Sequence, residues 1–325
     1  MNLKQFTLGA LVGAMLILAP VAVYADDTSY AAEVLTKGAG ARPLAMGGAF
    51  VAAASDATAA YWNPAGLALI DDIEITTMHS AQSDLQSYDF LNLAFKTESA
   101  GSYALSYLRL GVDGINITNA NSPTVITQAS YSDQAGLISG GWKIGKQFAV
   151  GGTVKFLKTD AYTASAFGFG SDIGFLFKPI KELSFGLVAR DYTGGSYITW
   201  SNTNSNRTDV LQPSVTLGAS WTEELGKRQN QGDAPVPVST LSVNFDFDSL
   251  YVDKSLNNYH LGVEYWYRQF VAVRGGLESK GFQFDTDSFT PSAGVGVWAY
   301  LFEIDYAFVA NSIGGIHYIS LITRL

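Results

Sequence analysis

The chain has 325 residues, a formal net charge of −9, no cysteine, and only 15% charged against 13% aromatic side chains. The acidic balance excludes a nucleic-acid partner, and the lack of cysteine excludes a disulfide framework and a lipid-modified N-terminus. Charged residues fall below the roughly 25% usual in soluble domains, a composition that suits a sheet facing lipid.

Residues 1–25 combine an early cation at Lys4, an apolar core from Phe6 to Ala19 and the small-residue ending Val23-Tyr24-Ala25. These are the parts of a cleaved secretory signal peptide, so the chain is expected to be exported. Residues 26–69 form the next unit, and its second part does not read as strand. Gly38, Gly40, Gly47 and Gly48 with Pro43 argue against regular structure and let backbone pass close to backbone. Ser55 or Asp56 is placed to cap a short helical piece through Ala57, Ala59 and Ala60, which Pro64 ends by pushing Asn63 out of the helical region. Asn63-Pro64-Ala65-Gly66 has the residue preferences of a type I turn and is expected to be a rigid corner holding Tyr61 and Trp62 against a wall.

From residue 70 to 325 the sequence shows fourteen segments of period-two alternation, running from 70–79 to 315–324. Each is about ten residues, the length a tilted strand needs to cross the apolar layer. In one of them Leu241, Val243, Phe245 and Phe247 alternate with Ser242, Asn244, Asp246 and Asp248, one face for lipid and one for water. No apolar run after the leader is long enough for a membrane-spanning helix, which leaves a closed barrel as the spanning structure. Tight junctions at Gly145-Lys146, Pro179 to Lys181, Arg268-Gln269 and Leu301 alternate with longer connections at 111–131, 159–166, 191–210, 249–256 and 280–288. The stretch 223–236 is long where parity calls for a turn. It reads either as a mobile periplasmic loop or as a miscounted pair of strands. The fold class expected is therefore all-β, a transmembrane antiparallel β-barrel of 14 strands with residues 26–69 as an N-terminal plug in its lumen.

Two quoted runs carry a family resemblance. Gly40 to Val51, GARPLAMGGAFV, followed by Asp56 to Leu67, DATAAYWNPAGL, resembles the N-terminal signature of the PorV/PorQ family of outer-membrane proteins. The second half also resembles the FadL family of long-chain fatty-acid transporters, in which an Asn-Pro-Ala hatch plugs the barrel. The resemblance carries that role onto Asn63, Pro64 and Ala65; Gly66, Gly47, Gly48, Tyr61 and Trp62 complete the expected plug. It implies an outer-membrane protein for passive uptake of hydrophobic compounds such as long-chain fatty acids. The alternative it implies is a PorV-like shuttle of type IX secretion, with secretion-machinery proteins as partners. Lipid is a partner in either case.

Apolar residues on two expected extracellular loops, Ile115 and Ile117 on one and Tyr197 and Trp200 on the other, mark a contact for a ligand or a partner. No nucleophile elbow, P-loop or HExxH is present, so neither an enzyme nor a cofactor is expected. The three histidines, His79, His260 and His317, fall on separate segments without ligands at metal spacing. The acidic pairs Asp246 with Asp248 and Asp285 with Asp287 read as solvated charges, with calcium the lesser alternative. Gly294 and Gly296 read as sites of curvature or of close packing against the plug.

Overall fold

The computed structural model describes residues 32–82, 85–97, 101–119, 122–192, 197–201, 208–226, 230–231, 234–235, 238–250, 257–280, 288–311 and 314–325. The signal-peptide expectation and the pair Asp285 and Asp287 lie outside them. Fourteen antiparallel strands close into one barrel. In chain order they are β1 (Glu74–Ala81), β2 (Gln86–Thr97), β3 (Gly101–Asn119), β4 (Ser122–Ile144), β5 (Phe148–Ala161), β6 (Ala164–Phe177) and β7 (Leu183–Arg190). They continue as β8 (Ser214–Leu225), β9 (Ser239–Leu250), β10 (Asn258–Tyr267), β11 (Val271–Lys280), β12 (Phe289–Ala299), β13 (Phe302–Asn311) and β14 (Gly314–Arg324). Each pairs with its chain neighbour, and β14 returns to pair with β1 from Glu74 opposite Arg324 to His79 opposite Ile319. Closure removes the edges of the fourteen-stranded wall and satisfies its backbone within the sheet, which hydrocarbon demands.

Alternation decides which side chains meet lipid. On β9, Val243 and Phe245 are exposed outward whereas Asn244 and Asp246 are buried toward the lumen, and on β13 Phe302 and Ile304 face out against buried Glu303 and Asp305. Outward rings gather near the two ends. Phe148 stacks on Phe177 at 4.6 Å and Tyr103 meets Trp142 edge-on at 5.9 Å near one end, while Phe156 meets Phe169 at 5.5 Å toward the other. Such girdles mark the lipid–water boundaries of a barrel.

Two expected loops are strand instead. Residues 111–119 and 122–131 continue β3 and β4 as a ladder from Val112 opposite Tyr131 to Asn119 opposite Ser122, with register shifts after Val112 and Ile117. Likewise 159–166 continues β5 and β6 to the pair Ala161 and Ala164, leaving Tyr162 and Thr163 as the turn. Polar residues on both faces of these extensions, where neither lipid nor core imposes a period, hid them from the pattern. The stretch 191–210 contains a hairpin, Tyr197–Ser201 with Thr208–Val210, that pairs with β6 beyond the point where β7 stops. The long connection after β8 leaves the strand count at fourteen, so the miscounting alternative falls.

The chain lacks cysteine, so single introduced thiols report topology cleanly. Tyr162→Cys, at the β5–β6 turn and 64% exposed, is expected to react with an impermeant maleimide on intact cells. Tyr300→Cys, 89% exposed at the opposite end, is expected to react only after the outer membrane is opened. Reversed labelling would invert the barrel.

Residues 32–70 pack against the inner faces of β3 to β6 and β11 to β14. The segment consists of a 3-10 turn at Glu33–Thr36, helix α1 (Ala41–Ala45), helix α2 (Ala59–Trp62) and a second 3-10 turn at Pro64–Leu69. The glycine-rich stretch thus does hold one short helix, set between Gly40 and Gly47, whose φ angles of 85° and 64° take the backbone in and out of it.

Candidate functional site

The luminal segment is held by its own side chains first. Asp56 accepts from the Thr58 amide at 2.9 Å just ahead of α2, whose N-cap is Thr58 rather than the expected Ser55 or Asp56, with no side-chain cap bond. Asn63 is extended, at φ −158° and ψ 104°, as a residue before proline should be. Its Oδ1 accepts from the Ala65 amide at 3.2 Å, and the Gly66 amide closes the turn onto the Asn63 carbonyl at 2.8 Å. Its Nδ2 donates to the carbonyls of Val51 at 2.9 Å and Phe175 of β6 at 3.1 Å. One amide side chain therefore joins the corner, the middle of the segment and the barrel wall.

Tyr61 and Trp62 also hold the first half of the segment. The Tyr61 hydroxyl donates to the Leu35 carbonyl at 2.6 Å and accepts from the Gly38 amide at 3.1 Å; the Trp62 indole donates to the Ala39 carbonyl at 2.7 Å. Both rings thus brace the first half of the segment, packed edge to face at 5.1 Å. Burial raises the Tyr61 phenol above its ordinary value, so it stays a neutral donor.

A segment with little regular structure leaves amide hydrogens unpaired, and the lumen supplies their acceptors. Asp246 Oδ2 accepts from the amides of Phe50 and Val51 at 2.7 and 2.8 Å, Glu74 from Ala57 at 2.7 Å, Asp133 from Val34 at 3.0 Å, and Ser320 from Ala41 at 3.2 Å. Asp246 is therefore a buried anchor, 1% exposed, rather than the solvated charge expected. Asp248 faces His260 at 3.2 Å, and His260 also meets the Gly47 carbonyl at 2.6 Å. Among the described residues no three acidic or histidine side chains are grouped to hold a metal ion.

Charge locks the segment at one side. Arg42 forks onto both oxygens of Glu264 at 2.8 Å each and reaches Asp56 at 2.9 Å. Burial would lower its pKa, but Glu264 and Asp56 outweigh that and raise it well above the ordinary arginine value. Arg274 extends the network from Glu264 to Asp305 and Glu303, and Arg324 joins Glu303 to Glu74. On another wall Lys155 sits between Asp172 at 2.7 Å and Asp191 at 2.6 Å.

Glycine lets the segment come close enough for these bonds. A Cβ on Gly151 would lie 2.2 Å from the Pro64 carbonyl carbon, on Gly276 2.1 Å from the Gly47 amide, and on Gly294 2.5 Å from Ala45 Cβ. The wall is thus moulded to the segment's backbone.

Above this contact, toward the end of the barrel opposite Glu74 and Arg324, lies a cavity of about 430 Å³. Gly47, Gly48, Tyr61 and Trp62 line it from the luminal segment. Asn63, Pro64, Ala65 and Gly66 are buried beneath and do not line it. Ile115 and Ile117 are half-buried on the extension of β3 and remote from the lining, so they are strand residues and not loop tips. Tyr197 pairs by backbone with Phe169, and Trp200, half-buried on the same short strand, donates to Asp209 at 2.7 Å. Arg42, Lys155, Arg274 and Asp246 escaped the sequence reading as members of the site. Their one signal was a charge at an inward position, or, for Arg42, inside a glycine-rich run.

Together these features define a class: a fourteen-stranded transmembrane barrel whose N-terminal segment is packed within the lumen beneath a cavity. Solved structures share that fold. The CymD monoaromatic hydrocarbon channel superposes with a TM-score of 0.61 at 14% identity, over 91% of this chain and 99% of that one. The Ralstonia pickettii toluene transporter TbuX gives 0.55 at 12% identity over 89% and 98%, and a Pseudomonas aeruginosa FadL homologue 0.52 at 12% over 92% and 99%. No protein-family model matches the chain, and no curated protein matches it in sequence.

Proposed function

We propose that this protein is a FadL-like outer-membrane channel for passive uptake of hydrophobic compounds, the class to which long-chain fatty acids belong, with residues 26–69 as its plug. The observation that carries this reading is the cavity itself. Apolar Leu35, Leu44, Val51, Leu137, Leu211 and Val309, with the rings of Tyr61, Trp62 and Tyr318, line a space within the size range of small-molecule sites. The Asn63 to Gly66 corner lies directly under it. The solved neighbours with this fold include a monoaromatic hydrocarbon channel and a toluene transporter, which supports the same class of cargo. In this reading a compound enters from outside, rests on the aromatic pair and leaves when the plug shifts. The secretion-shuttle alternative rests on the sequence resemblance alone.

The test is uptake of a labelled hydrophobe by cells displaying equal surface amounts of wild-type protein and of Asn63→Ala with Pro64→Ala. The double substitution removes the Asn63 bonds to Val51, Ala65 and Phe175. It leaves the strand ladders whole, so the barrel is expected to fold. Each orphaned buried group costs ~1–3 kcal/mol, so the plug should open more often and uptake should change about fivefold or more. Unchanged uptake in a folded variant would remove the transport role from this corner, and a selective loss of protein secretion would favour the shuttle.

A further inference from the structure

We propose that the periplasmic rim of the barrel, at the ends of β4 to β6, binds the headgroup of an anionic phospholipid of the inner leaflet. The argument starts from three lysines at the end of the barrel that carries Tyr300. Lys143 near the end of β4 and Lys146 in the β4–β5 turn are exposed, and Lys178, one residue past β6, is half-buried. The Lys178 amide donates to the Gln147 carbonyl at 2.7 Å, and Gln147 Nε2 donates to the Pro179 carbonyl at 2.9 Å. The turn and the end of β6 thus form one ledge. Adjacent strands lie about 4.8 Å apart, which brings the ends of β4 and β6 within roughly 10 Å, a gap that two lysine side chains close onto one ligand.

None of the three ammonium groups has an acid partner among the described residues. The acids nearby are engaged by other lysines. Asp71, which also feels Lys143, is bonded to Lys96 at 2.9 Å, and Glu182 and Glu224 face Lys181 at 3.5 and 3.8 Å. Burial, and then the charge of Lys143, hold the Lys178 ammonium below its ordinary pKa. A cation so placed carries an uncompensated cost, which a ligand anion removes. In a chain of formal net charge −9, the ledge is a local reversal of sign.

The apolar neighbours select the kind of anion. At the same rim Phe148 stacks on Phe177 at 4.6 Å and Phe177 on Phe185 at 6.4 Å, and Ile144 and Ile180 are exposed. This row belongs to the girdle that faces lipid. Acyl chains against the rings and a phosphate on the lysines satisfy both halves of the surface, whereas a soluble anion uses the lysines alone.

The test is competition between two lipids for the purified full-length protein. Mixed micelles hold equal amounts of phosphatidylglycerol and phosphatidylethanolamine, and the lipid retained after gel filtration is quantified by mass spectrometry. Phosphatidylglycerol is expected to be retained about tenfold over phosphatidylethanolamine, a preference that vanishes at about 0.5 M salt. Lys143→Gln with Lys146→Gln and Lys178→Gln is expected to bring the two lipids within about twofold, while Lys158→Gln, toward the other end of β5, leaves the ratio unchanged. If the triple variant does not assemble, the wild-type ratio and its salt dependence decide. Equal retention of the two lipids, or a preference that survives salt or the triple substitution, overturns the proposal. Displacement of the lipid by millimolar inorganic phosphate would assign the rim to a soluble anion, and displacement by polyglutamate to an acidic protein; either result overturns it as well.

Discussion

Arg42→Ala is expected to leave the barrel assembled but to turn it from a blocked barrel into a leaking one. The substitution strips Glu264 of its bidentate partner and Asp56 of its contact, and both acids are nearly inaccessible to water. Breaking a buried pair from one side costs about 3–5 kcal/mol, because the remaining charge is left without compensation. Arg274 still reaches Glu264 at 2.6 Å, which moderates the loss on the wall. On the luminal segment Asp56 loses its ion-pair partner outright and bears most of it. Planar-bilayer conductance should therefore rise sharply in Arg42→Ala, while heat-modifiable mobility, a property of the strand ladders, stays that of the wild type. Arg42→Lys keeps the charge but loses the fork and should fall between them. Wild-type conductance in Arg42→Ala would show that the segment is held without this latch.

Gly151→Ala and Gly276→Ala are expected to displace the segment from the opposite direction, by adding one methyl group each. Their new Cβ atoms would meet backbone at 2.2 and 2.1 Å, and backbone cannot rotate away as a side chain can. Overpacking of this kind costs typically about 1–3 kcal/mol. Gly136→Ala and Gly275→Ala provide the controls, since nothing lies within 4 Å of a Cβ at either position. Protease cleavage within residues 32–70 and the urea midpoint should separate the two pairs, the inner pair cut faster and unfolding earlier. Equal behaviour of all four variants would mean that the wall and the segment are not in contact.

The contrast between those glycines explains what was legible in the sequence. All fourteen strands could be read, because lipid on one side and a packed lumen on the other impose a strict alternation such as Phe245, Asp246, Phe247, Asp248. Strand ends could not. Above the membrane β3 and β4 carry Asn116 and Gln128, bonded to one another at 3.1 Å, on a surface that only water touches, and the period fades there. The corner at Asn63 was legible because its turn chemistry is local. The latch was not, since Arg42 and Glu264 are 222 positions apart and the Phe50 amide and Asp246 are 196 apart. Alternation shows that Asp246 and Glu264 point inward, but it carries no information about which segment they meet there. The same limit applies to the cavity, whose lining comes from the luminal segment and from strands along most of the chain.

Glu74 sits at the start of β1 and performs two tasks at once: its carboxylate accepts the Ala57 amide and the Arg324 guanidinium, at 2.7 and 3.1 Å. Arg324 is also its cross-strand partner at the junction of the first and last strands. That junction is the contact of greatest sequence separation in the sheet, and such contacts form last and slowly, because the intervening chain must be ordered before they give any return. During biogenesis the two ends of the sheet would therefore meet around a luminal segment already in reach. Seating the segment and zipping the final seam are thermodynamically linked, each strengthening the other through a single carboxylate. A lesion at Glu74 is thus a lesion of assembly as much as of the segment's seating, and its signature would be an accumulation of unclosed sheets in the periplasm.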